Sequence, residues 1–131
     1  MTRRLALIAA LALIPAVATA QENGQRKRGG GDSFIQLNTL TATTMRSDGR
    51  RGVMTVEAGV DVPDQGLRGR ALASTPRLQA AYVEVVQTYA AGLPAGAVPN
   101  IDYLERELQR QTDMILGRPG ARLLLGTVLV N

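Results

Sequence analysis

The clearest pattern in the chain is an alternation of apolar and mostly polar residues over positions 53–62. An alternation with this period puts successive side chains on opposite faces of the chain. It is typical of a β-strand with one buried face. Residues 33–44, SFIQLNTLTATT, are rich in β-branched and apolar side chains and predict a strand before it. Between the two segments, Asp48-Gly49 supplies the positive φ that a tight turn needs. The two segments therefore predict a β-hairpin.

Helical periodicity replaces this alternation after the hairpin. Apolar residues recur about every 3.5 positions from 67 to 89, which indicates one buried helical face. Asp64 is the predicted N-cap of this region. A proline interrupts the region because it cannot donate to the preceding turn, so Thr75-Pro76 predicts the N-cap and first residue of a second segment. That segment ends at Gly92.

A further helix and a final strand complete the pattern. Asn100 is the predicted N-cap of a helix that ends at Gly117. Residues 121–131 then form an apolar run that carries no charge after Arg122. Because this run is apolar on both faces, it predicts a buried or central strand, which we expect to pair with residues 54–62.

The predicted order of elements is β-β-α-α-β. It indicates a single α+β domain over residues 33–131, with a three-stranded sheet and helices packed on one face. Burial on both faces of the last strand requires a second cover, which another copy of the chain or a partner would supply. Residues 21–32 are rich in glycine and charged side chains and predict a flexible linker before the domain.

The first 20 residues show the three parts of a secretory signal peptide in the expected order. Arg3 and Arg4 precede an apolar run, and Ala18-Thr19-Ala20 forms an A-x-A cleavage site before Gln21. The run is shorter than the roughly 20 residues that a membrane-spanning helix needs. We predict cleavage of residues 1–20 and a periplasmic location. An uncleaved inner-membrane anchor facing the periplasm is the alternative, and export by the general secretory or the twin-arginine route stays open.

The composition excludes most catalytic chemistry. The chain contains no Cys and no His, which excludes thiolate nucleophiles, disulfides, histidine general bases and the usual ligands of zinc, haem and copper. Two carboxylate pairs, Asp61/Asp64 and Asp102/Glu105, are the remaining candidates for acid–base catalysis. A capping role for Asp64 and the helix dipole near Asp102 explain these pairs structurally. We therefore predict a non-enzymatic protein with no cofactor and no metal.

Charge and aromatic content argue against a nucleic-acid partner. The formal net charge is +4, but the basic excess lies mostly in the leader and the linker. Nucleic-acid binding combines a basic face with stacking aromatic side chains. The aromatic residues are few and are not interleaved with arginine. They are Phe34, Tyr82, Tyr89 and Tyr103.

Three stretches of the chain carry a family resemblance: Gly52–Val62, Pro76–Val83 and Leu123–Asn131. With this order of elements on the exported side of one N-terminal apolar segment, the region 33–131 resembles the flagellar basal-body-associated FliL family. The resemblance implies a stomatin-like fold, ring-forming self-association around the flagellar motor and support of stator function. It implies neither catalysis nor a cofactor. FliL proteins usually keep a membrane helix, whereas the apolar segment here is short and carries a cleavage site.

Together these features predict an exported bacterial structural or assembly protein that supports the flagellar basal body or stator through self-association. The alternative is a soluble periplasmic binding or adaptor module unrelated to motility. The expected partner is a second copy or another envelope protein, and the membrane is a partner only if the leader is uncleaved. Arg50 and Arg51 at the hairpin end are the hypothesised partner contacts, because arginine forms bidentate bonds at interfaces.

Overall fold

The computed structural model of the protein describes residues 31–131. The predicted leader, and the predicted linker as far as residue 30, lie outside the described residues. The described part is a mixed α+β domain with one antiparallel sheet and three helices, which confirms the predicted class. Its elements in chain order are β1 (Phe34–Gln36), β2 (Leu40–Met45), β3 (Arg51–Asp61), α1 (Gln65–Ala73), α2 (Thr75–Ala91), α3 (Ile101–Leu116) and β4 (Arg122–Val130).

The sheet is built around β3. β4 pairs with β3 from Met54 to Asp61. β1 pairs with residues 59–61 of β3, and β2 pairs with residues 51–56. Because a strand has only two hydrogen-bonding edges, β1 and β2 share the edge of β3 opposite β4. β3 is therefore the central strand, and all pairings are antiparallel.

The strand count of the prediction was wrong, because the first predicted strand is broken in two. Gln36 lies opposite Gly59 and Leu40 lies opposite Val56, so three residues span a gap that two residues span on β3. One extra residue in one strand is the signature of a β-bulge. Leu37, inside this break, is only 2 % exposed. Within residues 31–131 the sheet has four strands rather than three, and the order is β-β-β-α-α-α-β.

The position predicted for the last strand was also wrong. β4 lies at the edge of the sheet rather than at its centre, and the side chain of Leu129 is 57 % exposed. The central strand is β3, whose polar residues point to the outer face of the sheet. A run that is apolar on both faces is therefore compatible with an edge position when its outer face is left uncovered.

The core lies between the helices and one face of the sheet. Tyr82 of α2 is fully buried, and its hydroxyl bonds the hydroxyl of Thr112 on α3. Outer-face residues such as Thr43 and Val53 are exposed. The largest fully buried side chains are Tyr82, Leu40, Met54, Leu67, Leu78, Leu104, Leu108, Leu116, Val56, Val60, Val62 and Val86.

The predicted helix ends are largely confirmed. The Asp64 carboxylate accepts from the N–H of Leu67 at 2.8 Å, and the Asn100 side chain accepts from the N–H of Tyr103 at 3.1 Å. α3 ends on Gly117 in the left-handed conformation, with φ of 83°. The predicted N-cap of α2 was wrong by one residue. Ser74 occupies that position, and the hydroxyl of Thr75 donates instead to the carbonyl of Ala71.

Candidate interaction surface

The outer edge of β4 is an unpaired strand edge of the described domain. In an antiparallel strand, N–H and C=O of one residue point the same way, and neighbouring residues alternate. The N–H of Leu123 bonds a helix side chain rather than β3, and the N–H of Asn131 bonds Val53 of β3. The backbone groups of Leu125, Val128 and Val130 therefore point away from β3. No strand of residues 31–131 pairs with this edge.

The side chains of β4 make this edge apolar as well as unpaired. Val130 is 39 % exposed and Leu129 is 57 % exposed, and Leu124, Leu125 and Val128 are half-buried. No charged residue and no proline occurs after Arg122. Proteins usually protect an edge strand with charge, proline or shortness. β4 has nine residues, its charge is confined to its first position, and one bulge interrupts it.

Gln109 of α3 occupies the first part of the edge. Its side-chain nitrogen donates to the carbonyl of Ala121 at 2.8 Å, and its side-chain oxygen accepts from the N–H of Leu123 at 2.8 Å. The same nitrogen also donates to the carboxylate of Asp113 at 3.0 Å. One amide side chain thus satisfies two outward backbone groups, as a neighbouring strand would. The edge from Leu125 onward has no such side-chain partner among the described residues.

The opposite edge of the sheet is better protected. β2 has six residues, and the bulge before it interrupts the edge. Gln79 of α2 accepts from the N–H of Asn38 at 2.9 Å and donates to the carbonyl of Asn38 at 3.3 Å. The exposed side chains of β2 include Thr41 and Thr43. The shortness of β2, the bulge before it and its polar side chains make this edge a poor site for strand addition, and Gln79 occupies Asn38 in the break.

A second bulge lies in the middle of β4. Val128 is opposite Val56 and Leu125 is opposite Ala58, so Gly126 and Thr127 together face Glu57. A Cβ on Gly126 would lie 3.4 Å from the Cβ of Glu57, which is close contact. The bulge sets the spacing of the outward groups, because Leu125 and Val128 are three positions apart instead of two.

A groove of about 660 Å³ runs between α3 and the start of β4. Its rim carries both signs of charge, with Glu105 and Asp113 beside Arg106, Arg110 and Arg122. Arg110 donates to Glu107 at 2.7 Å on the same helix. That hydrogen bond holds the pKa of the Glu107 carboxyl below its usual value. The groove therefore has a charged rim on α3 and an apolar wall formed by Leu123, Leu124 and Leu125 along the free edge.

A second groove of about 610 Å³ separates α2 from α3. The rings of Tyr89 and Tyr103 stack there with centroids 5.5 Å apart. The hydroxyl of Tyr89 accepts from the N–H of Asn100 at 2.6 Å, which anchors the loop between the helices. The two tyrosines thus have a structural role at this position.

The predicted partner contacts, Arg50 and Arg51, lie at the hairpin end with both residues exposed. Within the described residues, neither guanidinium has an ion pair or hydrogen bond. Asn131 pairs with Val53, so this hairpin end lies beside the end of β4. Their role as partner contacts stays a prediction. The predicted cleavage residues Ala18, Ala20 and Gln21 lie outside the described residues.

Three other arginines are held within the domain. Arg68 donates to the carbonyls of Val62 and Pro63 at 3.0 and 2.9 Å. Arg70 donates to the carbonyl of Leu116 at 2.8 Å and so caps the end of α3. Arg118 pairs with Asp64 at 3.1 Å. Arg68 thus supports the junction of β3 with α1, and Arg70 and Arg118 link the start of the helical region to the end of α3.

The candidate carboxylate pairs also have local partners. Asp61 accepts from the hydroxyl of Ser33 at 2.5 Å. The N–H of Leu67 and, to a smaller degree, the guanidinium of Arg118 hold the pKa of the Asp64 carboxyl below its usual value. Asp102 and Glu105 lie at the start of α3. Over residues 31–131, no group of three or more acidic side chains is placed to hold a metal ion.

Sequence reasoning did not identify Gln109 or the free edge. Gln109 lies in an ordinary amphipathic helix, and its partners are 12 and 14 residues further along the chain. The apolar character of residues 123–130 did point to an uncovered surface, although it was assigned to a central strand. The missing information was which strand of the sheet lies in the middle.

Comparison with known proteins gives no assignment, since no family model matches the chain and no curated protein shows significant similarity to it. No helix within residues 31–131 is long and apolar enough to cross a membrane.

Proposed function

We propose that this chain is an exported bacterial assembly protein of the FliL type, which acts by binding other proteins and not by catalysis. The observation that carries the proposal is the nine-residue, mostly apolar edge of β4, where the backbone groups of Leu125, Val128 and Val130 point outward without a strand partner among the described residues. An extended segment added there would continue the sheet by main-chain hydrogen bonds.

The contrast between the two edges supports this assignment. The six-residue β2 has polar exposed side chains such as Thr41 and Thr43, whereas the nine-residue β4 is mostly apolar and has an amide cover only at its start. A domain that had to avoid strand addition altogether would protect both edges. We infer that β4 is left open for a partner, with Arg50 and Arg51 as further contacts at the adjacent hairpin end.

The proposed location is the periplasm, with the leader cleaved before Gln21. The A-x-A site and the short apolar run support this location. The absence of Cys and His supports a non-enzymatic role without metal or cofactor. The resemblance of residues 33–131 to the FliL family supports a place at the flagellar basal body or stator. A soluble adaptor role unrelated to motility is the competing proposal.

The experiment compares two lysine variants in the natural host. Leu129→Lys places a charge on the exposed face of the edge strand, and Val53→Lys places one on the same face of the central strand, where the wild-type side chain is 44 % exposed. We expect the wild-type protein and the Val53→Lys variant to migrate in a large envelope complex on native gels. The Leu129→Lys variant should be released from it.

Two results would count against the proposal. A wild-type protein that migrates as a free monomer in envelope extracts contradicts an assembly role. A Leu129→Lys variant that stays in the complex contradicts the use of the β4 edge. In a swimming host, normal spreading of a deletion strain through soft agar would favour the adaptor role over the flagellar one.

A further inference from the structure

We propose that the strand added to β4 is β4 of a second copy of this chain, running antiparallel about a two-fold axis at Gly126-Thr127. This inference rests on the proposed use of the β4 edge and names its partner. It would join two domains into one continuous sheet across an isologous interface, in which each copy contributes the same surface.

The spacing of the outward backbone groups defines the register. Leu123, Leu125, Val128 and Val130 point outward, and the bulge leaves two residues between Leu125 and Val128. An antiparallel copy has the same two-residue gap, so the gaps match when Leu125 lies opposite Val128 of the second copy. Leu123 then lies opposite Val130. A shift of one or two residues would set outward groups against inward groups on part of the interface.

The side chains agree with this register. Residues opposite each other in an antiparallel pair lie on the same face of the sheet. Leu125 and Val128 both lie on the helix side, opposite Ala58 and Val56. Leu124 and Leu129 both lie on the outer face and would also meet across the interface. These pairs on either side of Gly126-Thr127 are therefore apolar and of matching orientation.

Charge placement is also compatible with a second copy. Arg122 is the single charged residue of β4 and lies at its start. In the antiparallel register it would lie opposite the uncharged Asn131, about 30 Å from Arg122 of the other copy. The groove along the edge carries Glu105 and Asp113 beside Arg106. In this register each rim lies beside residues 128–130 of the other copy, which carry no charge, so no like charges are brought together.

Gln109 does not prevent this pairing. Two residue pairs flank the two-fold axis, and each joins Leu125 of one copy to Val128 of the other. Both pairs lie beyond the part of the edge that the Gln109 amide covers. Only Leu123 would exchange the side-chain oxygen of Gln109 for the backbone of Val130 in the second copy. The Leu123 N–H stays bonded in this exchange, and its cost is the one bond that the side-chain oxygen of Gln109 gives up.

Single cysteine variants test the register, because the natural chain contains no cysteine. The full chain, exported with its own leader, is prepared with Leu124→Cys or with Leu129→Cys and is reduced before mixing. Opposite residues that are not directly hydrogen-bonded lie about 4.5 Å apart between Cα atoms, which a disulfide can bridge. In a dimer of two identical variants, the two cysteines would lie five residue positions apart along the paired strands, or about 17 Å.

We expect the equal mixture of the two variants to give at least tenfold more disulfide-linked dimer on oxidation than either variant alone. Leu129→Cys mixed with Thr43→Cys, which is exposed on the outer face of β2, should give none above background. Sedimentation of the wild-type chain should show a concentration-dependent dimer, which Leu129→Lys weakens at least tenfold and Val53→Lys leaves unchanged.

A monomeric wild-type chain at high concentration, or mixed cross-linking no greater than that of the single variants, overturns the proposal. The proposed function and the pairing with a second copy can fail independently, and two results distinguish these failures. If Leu129→Lys disrupts the envelope complex while no mixed disulfide forms, the edge binds a different protein and the second copy is excluded. If the mixed disulfide forms while the complex tolerates Leu129→Lys, self-pairing holds and the assembly role is excluded.

Discussion

Tyr82 places a phenol in the middle of the core, where burial raises its pKa to about 12. Thr112 donates to the carbonyl of Leu108 at 2.7 Å, so the Tyr82 hydroxyl is the donor to Thr112. The ionised phenol is disfavoured in the folded state, since it would lose both its solvation and this donated bond. Asp113 nearby raises the same pKa further.

The first prediction follows from this raised pKa. Below pH 10 Tyr82 is neutral in both the folded and the unfolded state, so its full contribution to the free energy of unfolding is present. That contribution is lost as the pH rises from about 10, where the unfolded state ionises, to about 12, where the folded state does. We expect the free energy of unfolding to fall by about 3 kcal/mol over that range. Tyr82→Phe should remove this pH slope, and the exposed Tyr103→Phe should keep it. Urea titrations at several pH values measure the slope, and an unchanged slope in Tyr82→Phe would contradict the assignment.

Replacement by alanine is expected to have opposite effects on stability at two glycines. A Cβ on Gly59 would meet the ring of Phe34 and lie 2.8 Å from the carbonyl oxygen of Ile35, whereas a Cβ on Gly69 meets nothing within 4 Å. We expect Gly59→Ala to lower the free energy of unfolding by about 1–3 kcal/mol. Gly69→Ala, inside α1, should raise it by about 0.5–1 kcal/mol. Urea midpoints compare the two, and equal effects would refute the close packing at Gly59.

At the scale of single elements, the ends of the helices depend on local chemistry and could be predicted from the sequence. Asp64, Asn100 and Gly117 each act within four residues of their own position. The tight turn at Gly49, with φ of 85°, was predictable for the same reason. These contacts need no knowledge of the rest of the fold.

The order of strands could not be obtained in this way, because it depends on pairings between distant segments. The bulge at Leu37 is visible only once β1 and β2 are set against β3. β4 was placed at the centre because apolar residues cover both of its faces, but composition does not distinguish a covered strand from an uncovered edge. The apolar surface of residues 123–130 and its need for a cover were therefore predictable, while Gln109 and the edge position were not.

Gln109 connects α3 to the edge of β4, and its amide geometry gives a further prediction. Gln109→Glu would replace the donor nitrogen by an oxygen that faces the carbonyl of Ala121 and the carboxylate of Asp113. We expect the free energy of unfolding to fall by about 1–3 kcal/mol. Gln87→Glu, at an exposed position of α2, should change it by less than about 0.5 kcal/mol. Thermal or urea unfolding provides the measurement, and equal stabilities of the two variants would contradict a pairing role for Gln109.

At the scale of the whole molecule, the domain combines a closed core with one open edge. The helices cover one face of the sheet, Gln79 covers Asn38 in the break between β1 and β2, and Gln109 covers only the start of the β4 edge. The remaining apolar strand is the part of the described surface best suited to bind a protein segment. This asymmetry is the physical basis for the assembly role that we propose.

Residue-resolved hydrogen exchange tests this claim most directly, because adjacent amides of β4 point in opposite directions. The Val128 amide points outward, and the Leu129 amide points to β3, where Leu129 lies opposite Thr55. The account predicts that Val128 exchanges quickly in the dissociated chain and at least tenfold more slowly in the complex recovered from the envelope, while Leu129 is protected in both. If Val128 exchanges equally fast in the complex and in the dissociated chain, the β4 edge is not the binding surface.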